Sequence, residues 1–198
     1  MNIGCIGRAR AGKDTVGQWL VEHRGYRRVG FADPLKEAAL KLDPLIYTDH
    51  PSGTERLSEI LSEPHALTLE IAKDMFPEIR RVLQELGAAV RGLDPDFWLR
   101  LALTKVMSAN DGGTACVITD VRYPNEAESL RAAGFHLIYV HRPDVPHLNH
   151  ESEGALSAED ADHLIINTGT VADLHRELRL VVDRIDRVES RRHWNRSH

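Results

Sequence analysis

The chain has 198 residues, of which 42% are hydrophobic and 28% are charged, and its formal net charge is −5. This length supports one well-buried core, with room for a small inserted lobe. The negative charge argues against a general nucleic-acid-binding surface and against an anionic membrane as a partner. No apolar run reaches membrane-spanning length, and residues 1–4 lack the features of a signal peptide, so the cytoplasm is the expected compartment.

A glycine-containing loop follows the first apolar run. Asn2–Ile6 predicts a buried strand, residues 16–21 have the pattern of an amphipathic helix, and Gly-Arg-Ala-Arg-Ala-Gly-Lys-Asp-Thr (residues 7–15) stands between them. A strand, a glycine loop and a helix in this order are the context of a phosphate-binding P-loop. Backbone N–H groups and the amino end of the helix would hold a triphosphate, and Lys13 would reach its β- and γ-phosphates. The alternative is an ordinary strand-to-helix turn with a surface lysine.

One position of this loop departs from the common P-loop pattern. Asp14 stands where Ser or Thr usually follows the lysine, and Thr15 comes next. A hydroxyl directed at magnesium must then come from Thr15, or the metal must be held mainly through water.

Apolar runs and helical patterns alternate along the rest of the chain. Further strands are predicted at 28–31, 115–119, 136–140 and 164–166, and further helices at 33–42 with Asp33 as N-cap, 79–90, 97–107, 124–133 and 171–188. Most of the runs are too continuously apolar to be half-exposed strands, and the alternation predicts an α/β fold with a mainly parallel five-stranded sheet.

Three other segments do not follow this alternation. Residues 41–63 are rich in Pro, Asp, Ser and Thr and predict a mobile connection or an insertion. Residues 141–162 separate the last two strands and predict a lid that would exclude water from a phosphoryl-transfer site. The basic tail, residues 190–198, is expected to be frayed.

The cysteines and tryptophans give no sign of a special site. Cys5 and Cys116 both fall in apolar strand-like runs and are expected to be buried, reduced thiols. Trp19 and Trp98 are expected in the core, and Trp194 lies in the tail.

Residues 117–126, Val-Ile-Thr-Asp-Val-Arg-Tyr-Pro-Asn-Glu, form the second informative segment. Asp120 ends an apolar strand, a position suited to orienting magnesium or its water shell. Arg122 would emerge at the same sheet edge, where its guanidinium fork matches phosphate oxygens. The alternative is that Asp120 caps the helix beginning near Pro124 and that Arg122 pairs with Glu126.

Several motifs occur in an order that resembles a known family. They are Gly-Lys-Asp-Thr (12–15), Phe-Ala-Asp-Pro-Leu-Lys (31–36), Leu-Gln-Glu-Leu-Gly (83–87), Thr-Asp-Val-Arg-Tyr-Pro-Asn-Glu (119–126), His-Glu-Ser-Glu (150–153) and Ile-Ile-Asn-Thr-Gly-Thr (165–170). Together they resemble the deoxynucleoside monophosphate kinases of bacteriophages, over residues 3–187. The resemblance implies a three-layer P-loop NTPase fold in one domain over 1–198, with a helical acceptor-binding insertion at about 35–95 and a lid at about 142–162.

The resemblance also implies roles for individual residues. ATP phosphates and Mg²⁺ would be held by Gly7, Arg8, Ala9, Ala11, Gly12, Lys13, Asp14, Thr15 and Val16, with Thr15 and Asp120 nearest the metal. Asn167, Thr168 and Gly169 would lie near the adenine, although without the resemblance they predict a simple turn. The acceptor monophosphate would contact Asp33, Lys36, Arg80, Arg81, Gln84, Arg91 and Glu153. The alternative for the helical members of this set is a solvated helix face.

The expected activity is ATP-dependent phosphorylation of a deoxynucleoside 5′-monophosphate, in the host cytoplasm if the chain is phage-encoded. Besides Lys13, Asp120 and Arg122, we expect a transition-state arginine, which is Arg10 or Arg8 in the loop or Arg142 at the entrance of the lid. The alternatives are a P-loop kinase for another small molecule, such as dephospho-coenzyme A or a sugar acid, and a non-catalytic nucleotide-binding module. A homodimer is left open.

Overall fold

A computed structural model of the protein describes residues 1–48, 53–62, 66–145 and 154–197. The centre of the predicted lid and Glu153 lie outside the described residues. The chain divides into two compact units, the first made of Met1–Gly30 with Ala102–His198 and the second of Phe31–Leu101.

Helices and strands alternate along most of the described chain. In chain order they are β1 (Asn2–Ile6), α1 (Lys13–Arg24), β2 (Arg27–Arg28), α2 (Ala32–Leu42), β3 (Leu45–Tyr47), β4 (Thr54–Arg56), α3 (Leu57–Leu61), α4 (Leu69–Met75), α5 (Pro77–Leu93), α6 (Phe97–Asp111), β5 (Cys116–Val121), α7 (Pro124–Ala132), β6 (Phe135–His141), a 3-10 turn (Ala158–Asp160), β7 (His163–Ile166) and α8 (Val171–Ser197). None of these helices combines the length and the apolarity that crossing a bilayer requires.

The first unit contains a parallel five-stranded sheet with the order β2-β5-β1-β6-β7. The predicted mainly parallel five-stranded sheet is therefore confirmed. Ile6, the last residue of β1, pairs with Val121 on β5 and with Tyr139 on β6. The carboxyl ends of the three central strands consequently lie side by side, and the glycine loop leaves the middle one.

Helices cover both faces of this sheet. On one face, α1 and α8 pack on β1, β5 and β6 through buried apolar side chains, among them Val16, Leu20, Leu174, Leu178, Ile3, Val117 and Ile138. On the other face, a Cβ added at Gly4 would lie 2.7 Å from Leu137 and 3.1 Å from Leu130 of α7. Cys5, Cys116, Trp19 and Trp98 are buried, as predicted, and Trp194 is exposed.

The basic tail differs from its prediction, because α8 continues through it to Ser197. Glu and Arg both have good helix propensity, and Arg192 donates to Glu189 at 2.9 Å across one turn. The tail carries arginines and no acidic residue, so its helix is supported by the pairing of Arg192 with Glu189, which precedes the tail, and by the helix propensity of arginine.

The second unit has a core of its own, formed by Ala39, Ile46, Leu57, Ile60, Ala72, Ile79 and Leu83. Of the two alternatives for residues 41–63, the structure contradicts the mobile connection, since β3 and β4 form an antiparallel hairpin there and α3 follows, and the insertion stays compatible with it. Only a few apolar side chains in this polar segment enter the core, too few to give a periodic pattern. Asp33 does not cap α2, because that helix begins at Ala32 and places Asp33 in its first turn.

Candidate active site

The loop between β1 and α1 has the backbone geometry of an anion-binding loop. Gly7 has φ 145° and Gly12 has φ 107°, conformations that side chains with a Cβ rarely adopt. A Cβ at Gly7 would lie 2.4 Å from the carbonyl oxygen of Val140, so the loop passes directly over β6. Gly12 is the N-cap of α1 and provides no side-chain cap, which suits an anion at this helix terminus.

Lys13 lies over this loop. Its Nζ donates to the carbonyl oxygens of Gly7 at 2.6 Å and Arg8 at 2.7 Å. The ammonium group is thereby held where the loop would surround a phosphate chain, as the P-loop interpretation requires.

Two pockets border Lys13. The first, which we call the P-loop pocket, has a volume of 410 Å³ and lies between the first turn of α1, Arg142 and the chain from Asn167 to Leu174. The second, the strand-end pocket, has a volume of 510 Å³ and lies over the carboxyl ends of β5, β1 and β6, beside residues 154–158. Because Lys13 lines both pockets, its positive charge would act on a ligand bound in either of them.

The two pockets sort the predicted site residues into two groups. The P-loop pocket includes Arg10, Gly12, Lys13, Asp14, Thr15, Arg142, Asn167 and Gly169. The strand-end pocket includes Gly7, Arg8, Ala9, Lys13 and Arg122. Ala11 and Val16 are buried in the core, so only their backbone groups can face a ligand. Among the described residues, the lining of neither pocket includes Asp120 or Thr168.

The remaining predicted residues belong to the second unit. Asp33 and Lys36 lie on α2, and Arg80, Arg81, Gln84 and Arg91 lie on α5. Lys36 donates to Glu70 at 2.7 Å, and Arg81 makes two hydrogen bonds to Glu78. Burial would raise the pKa of Glu70, but the hydrogen bonds from Lys36 and Lys73 outweigh it and lower the pKa to about 2. Lys36 therefore faces a carboxylate that stays ionised at neutral pH.

The capping alternative for the 117–126 segment is wrong in its first half. The N-cap of α7 is Tyr123, not Asp120. The buried Glu126 accepts hydrogen bonds from the backbone N–H groups of Arg122 at 2.8 Å and Tyr123 at 3.1 Å. Arg122 is thus anchored by its backbone while its exposed side chain lines the strand-end pocket.

A buried thiol lies beneath the loop. Burial raises the pKa of Cys5 to about 12, with Lys13 lowering it and Asp14 and Asp120 raising it by smaller amounts. The thiol stays protonated at neutral pH, in keeping with a structural role. Asp120 lies close to the start of the loop, because the next residue, Val121, pairs with Ile6 at the end of β1.

Asn167 follows β7 at the edge of the sheet and is hydrogen-bonded to the P-loop. It is buried, its Nδ2 donates to the carbonyl oxygen of Ala11 at 2.9 Å, and its N–H donates to His141 at 2.7 Å. The sequence placed this residue near the adenine, whereas its amide is directed at the P-loop backbone.

Replacing Asn167 by alanine is expected to loosen the P-loop, because the Ala11 carbonyl loses this donor. The loss of a buried hydrogen bond costs about 1–3 kcal/mol, which should appear as a lower unfolding temperature and at least about 5-fold weaker ATP binding. Thermal melting and titration calorimetry with ATP would measure both. Asn110→Ala, at an exposed asparagine of α6 that the described lining of neither pocket includes, is the control, and equal behaviour of the two variants would contradict the assignment.

Asp14 has two partners that sequence analysis missed. The hydroxyl of Thr119, buried on β5, donates to Asp14 Oδ1 at 3.0 Å. Arg28 Nη2 lies 3.5 Å from the same oxygen, and Arg28 Nε lies 3.4 Å from the Thr119 hydroxyl. The carboxylate is therefore turned towards the end of β5, where these groups offset its charge beside the phosphate-binding helix terminus.

Thr119→Val, which keeps the side-chain shape and removes the hydroxyl, is expected to lower kcat/KM for ATP about 10-fold through misplacement of Asp14. Thr119→Ser keeps the donor and should retain most of the wild-type value. Steady-state kinetics on the three proteins would test this contact. A serine variant as impaired as the valine variant would show that the methyl group, not the hydroxyl, matters.

The comparison with protein families decides where the chain belongs. The model of the family described as deoxynucleotide monophosphate kinase matches residues 48–178. The chain belongs to the deoxynucleotide monophosphate kinase family. The resemblance found in its motifs is thereby confirmed.

Several relatives of this chain are viral proteins. A protein of Acanthamoeba polyphaga mimivirus described as a deoxynucleotide monophosphate kinase is 28% identical over 193 residues, which cover 91% of this chain and 95% of that protein. The deoxynucleotide monophosphate kinase of Enterobacteria phage T4 is 30% identical over 105 residues, 51% of this chain and 44% of the phage enzyme. The match to the phage enzyme thus spans about half of each protein.

Solved structures of other kinases share the fold of this family member. The dephospho-CoA kinase from Campylobacter jejuni superposes with a TM-score of 0.53 at 16% identity, covering 95% of this chain and 98% of that one. A gluconokinase from Sinorhizobium meliloti gives a TM-score of 0.50 at 16% identity, and the match covers 100% of this chain and 97% of the gluconokinase. At this identity the likeness concerns the fold alone.

Proposed function

We propose that this protein transfers the γ-phosphoryl group of ATP to the 5′-phosphate of a deoxynucleoside monophosphate, giving ADP and the deoxynucleoside diphosphate. Membership in the deoxynucleotide monophosphate kinase family supports the reaction. The observation that carries the mechanism is the position of Lys13 between the P-loop pocket and the strand-end pocket. A cation shared by two pockets can stabilise charge on a group that passes from one to the other. We further propose that the reaction takes place in the cytoplasm.

The P-loop pocket is the proposed site of ATP. Its triphosphate would lie in the loop between Gly7 and Gly12, on the backbone N–H groups at the amino end of α1. The adenosine would lie towards Gly169, with Asn167 holding the Ala11 carbonyl and so the shape of the loop. The protein supplies here mainly fixed dipoles and the charge of Lys13.

The donor groups beside the loop fit magnesium. Thr15 and Asp14 line the P-loop pocket and offer the oxygen ligands that Mg²⁺ prefers. Within the described parts of the chain there is no group of three or more His, Cys, Asp or Glu that could hold a metal, which suits an ion bound mainly by phosphate oxygens and water. We propose that Thr15 and, through water, Asp120 hold it; when bound, Mg²⁺ neutralises charge on the transferring phosphates.

The strand-end pocket is the proposed place of the acceptor phosphate. Arg122, anchored by Glu126, and Arg8 both line it together with Lys13. Their charges would hold the acceptor dianion, whose oxygen attacks the γ-phosphorus while the bond to the β–γ bridging oxygen breaks. The acceptor phosphate is itself the nucleophile, so no covalent enzyme intermediate is needed. We keep Asp33, Lys36, Arg80, Arg81, Gln84, Arg91 and Glu153 as further proposed contacts of the acceptor.

The transition-state arginine is proposed to be Arg10 or Arg142, which line the same pocket. Arg10 has φ 62°, an uncommon conformation for a residue other than glycine, and such conformations concentrate at functional sites. Alanine variants would separate the two, because the arginine that acts in the transition state loses kcat with little change in ATP affinity.

A panel of acceptors tests the proposal. Purified protein with ATP and magnesium would be offered dAMP, dCMP, dGMP and dTMP, with dephospho-coenzyme A and gluconate as alternative acceptors, and ADP release would be followed. We expect turnover with at least one deoxynucleotide and none with the other two. Turnover with dephospho-coenzyme A or gluconate alone would show that the protein is a kinase for another small molecule. No turnover with any acceptor would favour a non-catalytic nucleotide-binding module.

A further inference from the structure

The strand-end pocket changes in chemistry across the sheet. The strand order β5-β1-β6-β7 places Arg122 after β5, the glycine loop with Lys13 after β1, and Tyr139 and His141 at the end of β6. Leu164 of β7 follows beside Tyr139, its partner in the ladder. One side of the pocket is therefore cationic, and the other side is aromatic and apolar.

Tyr139 and His141 bring two neighbouring aromatic rings to the second side of the pocket. Residues two apart on a strand face the same side of the sheet, and their rings are stacked with centroids 6.4 Å apart and planes at 25°. The flanking residues Ile138 and Val140 point into the core on the opposite face and are fully buried. Tyr139 and His141 are only half-buried, since one side of the pair faces the pocket.

The position of this pair is fixed by the same contacts that shape the loop. Tyr139 pairs with Ile6, the residue before Gly7, and Gly7 passes so close to the Val140 carbonyl that a Cβ there would lie 2.4 Å from its oxygen. The His141 carbonyl accepts the N–H of Asn167. The two rings thus stand on a backbone that is held directly against the P-loop, which is a rigid base for a binding surface.

We propose that Tyr139 and His141 form the surface against which the acceptor nucleoside packs, with its base on the rings and its phosphate towards Lys13 and Arg122. This inference rests on the proposed function. The volume of 510 Å³ is in the range of pockets for small organic ligands. A nucleotide matches this pocket because it has an anionic end and a flat aromatic end. Stacking uses the face of a base and not its edge, so this pair sets the affinity for the acceptor and leaves the choice of base to other residues.

Variants of Tyr139 test the inference through the two Michaelis constants. Tyr139→Ala and Tyr139→Leu are expected to raise KM for the preferred deoxynucleotide about 10-fold, the loss typical for one aromatic stacking partner, while KM for ATP changes less than about 3-fold. Tyr139→Phe should restore most of the affinity that alanine loses, because it keeps the ring. Likewise, His141→Ala should raise KM for the deoxynucleotide, and His141→Phe, which keeps an aromatic ring, should restore most of the lost affinity. Trp194→Ala, at an exposed aromatic residue of α8, is the control.

The outcomes separate this inference from the function on which it rests. A wild-type protein without deoxynucleotide turnover would refute the proposed function. With an active wild type, an unchanged acceptor KM in Tyr139→Leu would refute the stacking surface alone, and so would an equal rise in KM for ATP. The leucine variant keeps the apolar volume, so it also covers the case in which Tyr139→Ala does not fold. Calorimetric titration of the deoxynucleotide without ATP gives a second measurement, in which the affinity must fall in the same variants.

Discussion

Lys13→Ala is expected to lower kcat for deoxynucleoside diphosphate formation about 10³-fold, the scale of removing a cation or donor that acts on a transferring phosphoryl group. The Nζ of Lys13 lies on the loop carbonyls of Gly7 and Arg8 and borders both pockets. Its loss removes positive charge from the place where the γ-phosphoryl group is transferred. Quenched-flow or steady-state assays of product formation at saturating ATP would measure the effect.

Lys105→Ala is the matched control for this variant. Lys105 lies on α6, and the described lining of neither pocket includes it. It should keep kcat within about 2-fold, as expected for substitutions away from the site. If Lys13→Ala retained more than a tenth of the wild-type kcat while folding normally, the P-loop pocket would not be the site of phosphoryl transfer.

Gly7→Ala is expected to disrupt the loop itself. Its φ of 145° is strained for alanine, and the added Cβ would lie 2.4 Å from a backbone oxygen, which no side-chain rotation can relieve. Together these effects should lower the free energy of unfolding by about 3 kcal/mol and abolish measurable ATP binding. Urea denaturation and nucleotide titration would record the two losses.

Gly134→Ala is the control for Gly7→Ala. It measures the cost of placing alanine at a positive φ without a steric clash of the added Cβ. Gly134 has φ 78°, and no heavy atom lies within 4 Å of the position that a Cβ would take there. This variant should lose only about 1 kcal/mol and keep normal ATP binding. If both alanine variants were destabilised equally, the clash of the added Cβ at position 7 with the Val140 carbonyl would contribute nothing to the loss of stability.

Local signals allowed the framework of the site to be predicted. The glycine spacing of residues 7–15 between an apolar run and a helical pattern indicated the P-loop, and the remaining apolar runs indicated the parallel sheet. Arg122 was placed at the sheet edge because it comes two residues after Asp120, the expected end of an apolar strand, and it does line a pocket there. The hairpin of β3 and β4 was missed, since short strands in a polar segment carry almost no periodicity.

The contacts that shape the site could not be predicted in the same way. Thr119 and Asp14 are 105 residues apart, and Asn167 and Ala11 are 156 apart. Each pair meets only because the strand order places β5 and β7 on opposite sides of β1. Tyr139 and His141 were overlooked for a related reason. The predicted strand, 136–140, ended one residue before His141, and only the neighbouring strands show which face of β6 borders a pocket.

Transfer of label from [γ-³²P]ATP tests the central claim most directly. The protein would be incubated with labelled ATP, magnesium and its preferred deoxynucleoside monophosphate, and the products separated by chromatography. We expect the label in the β-phosphate of the deoxynucleoside diphosphate, equimolar with ADP, and its loss in Lys13→Ala. Label found only in inorganic phosphate, or label transfer that persists undiminished in Lys13→Ala, would contradict phosphoryl transfer between two pockets that share this lysine.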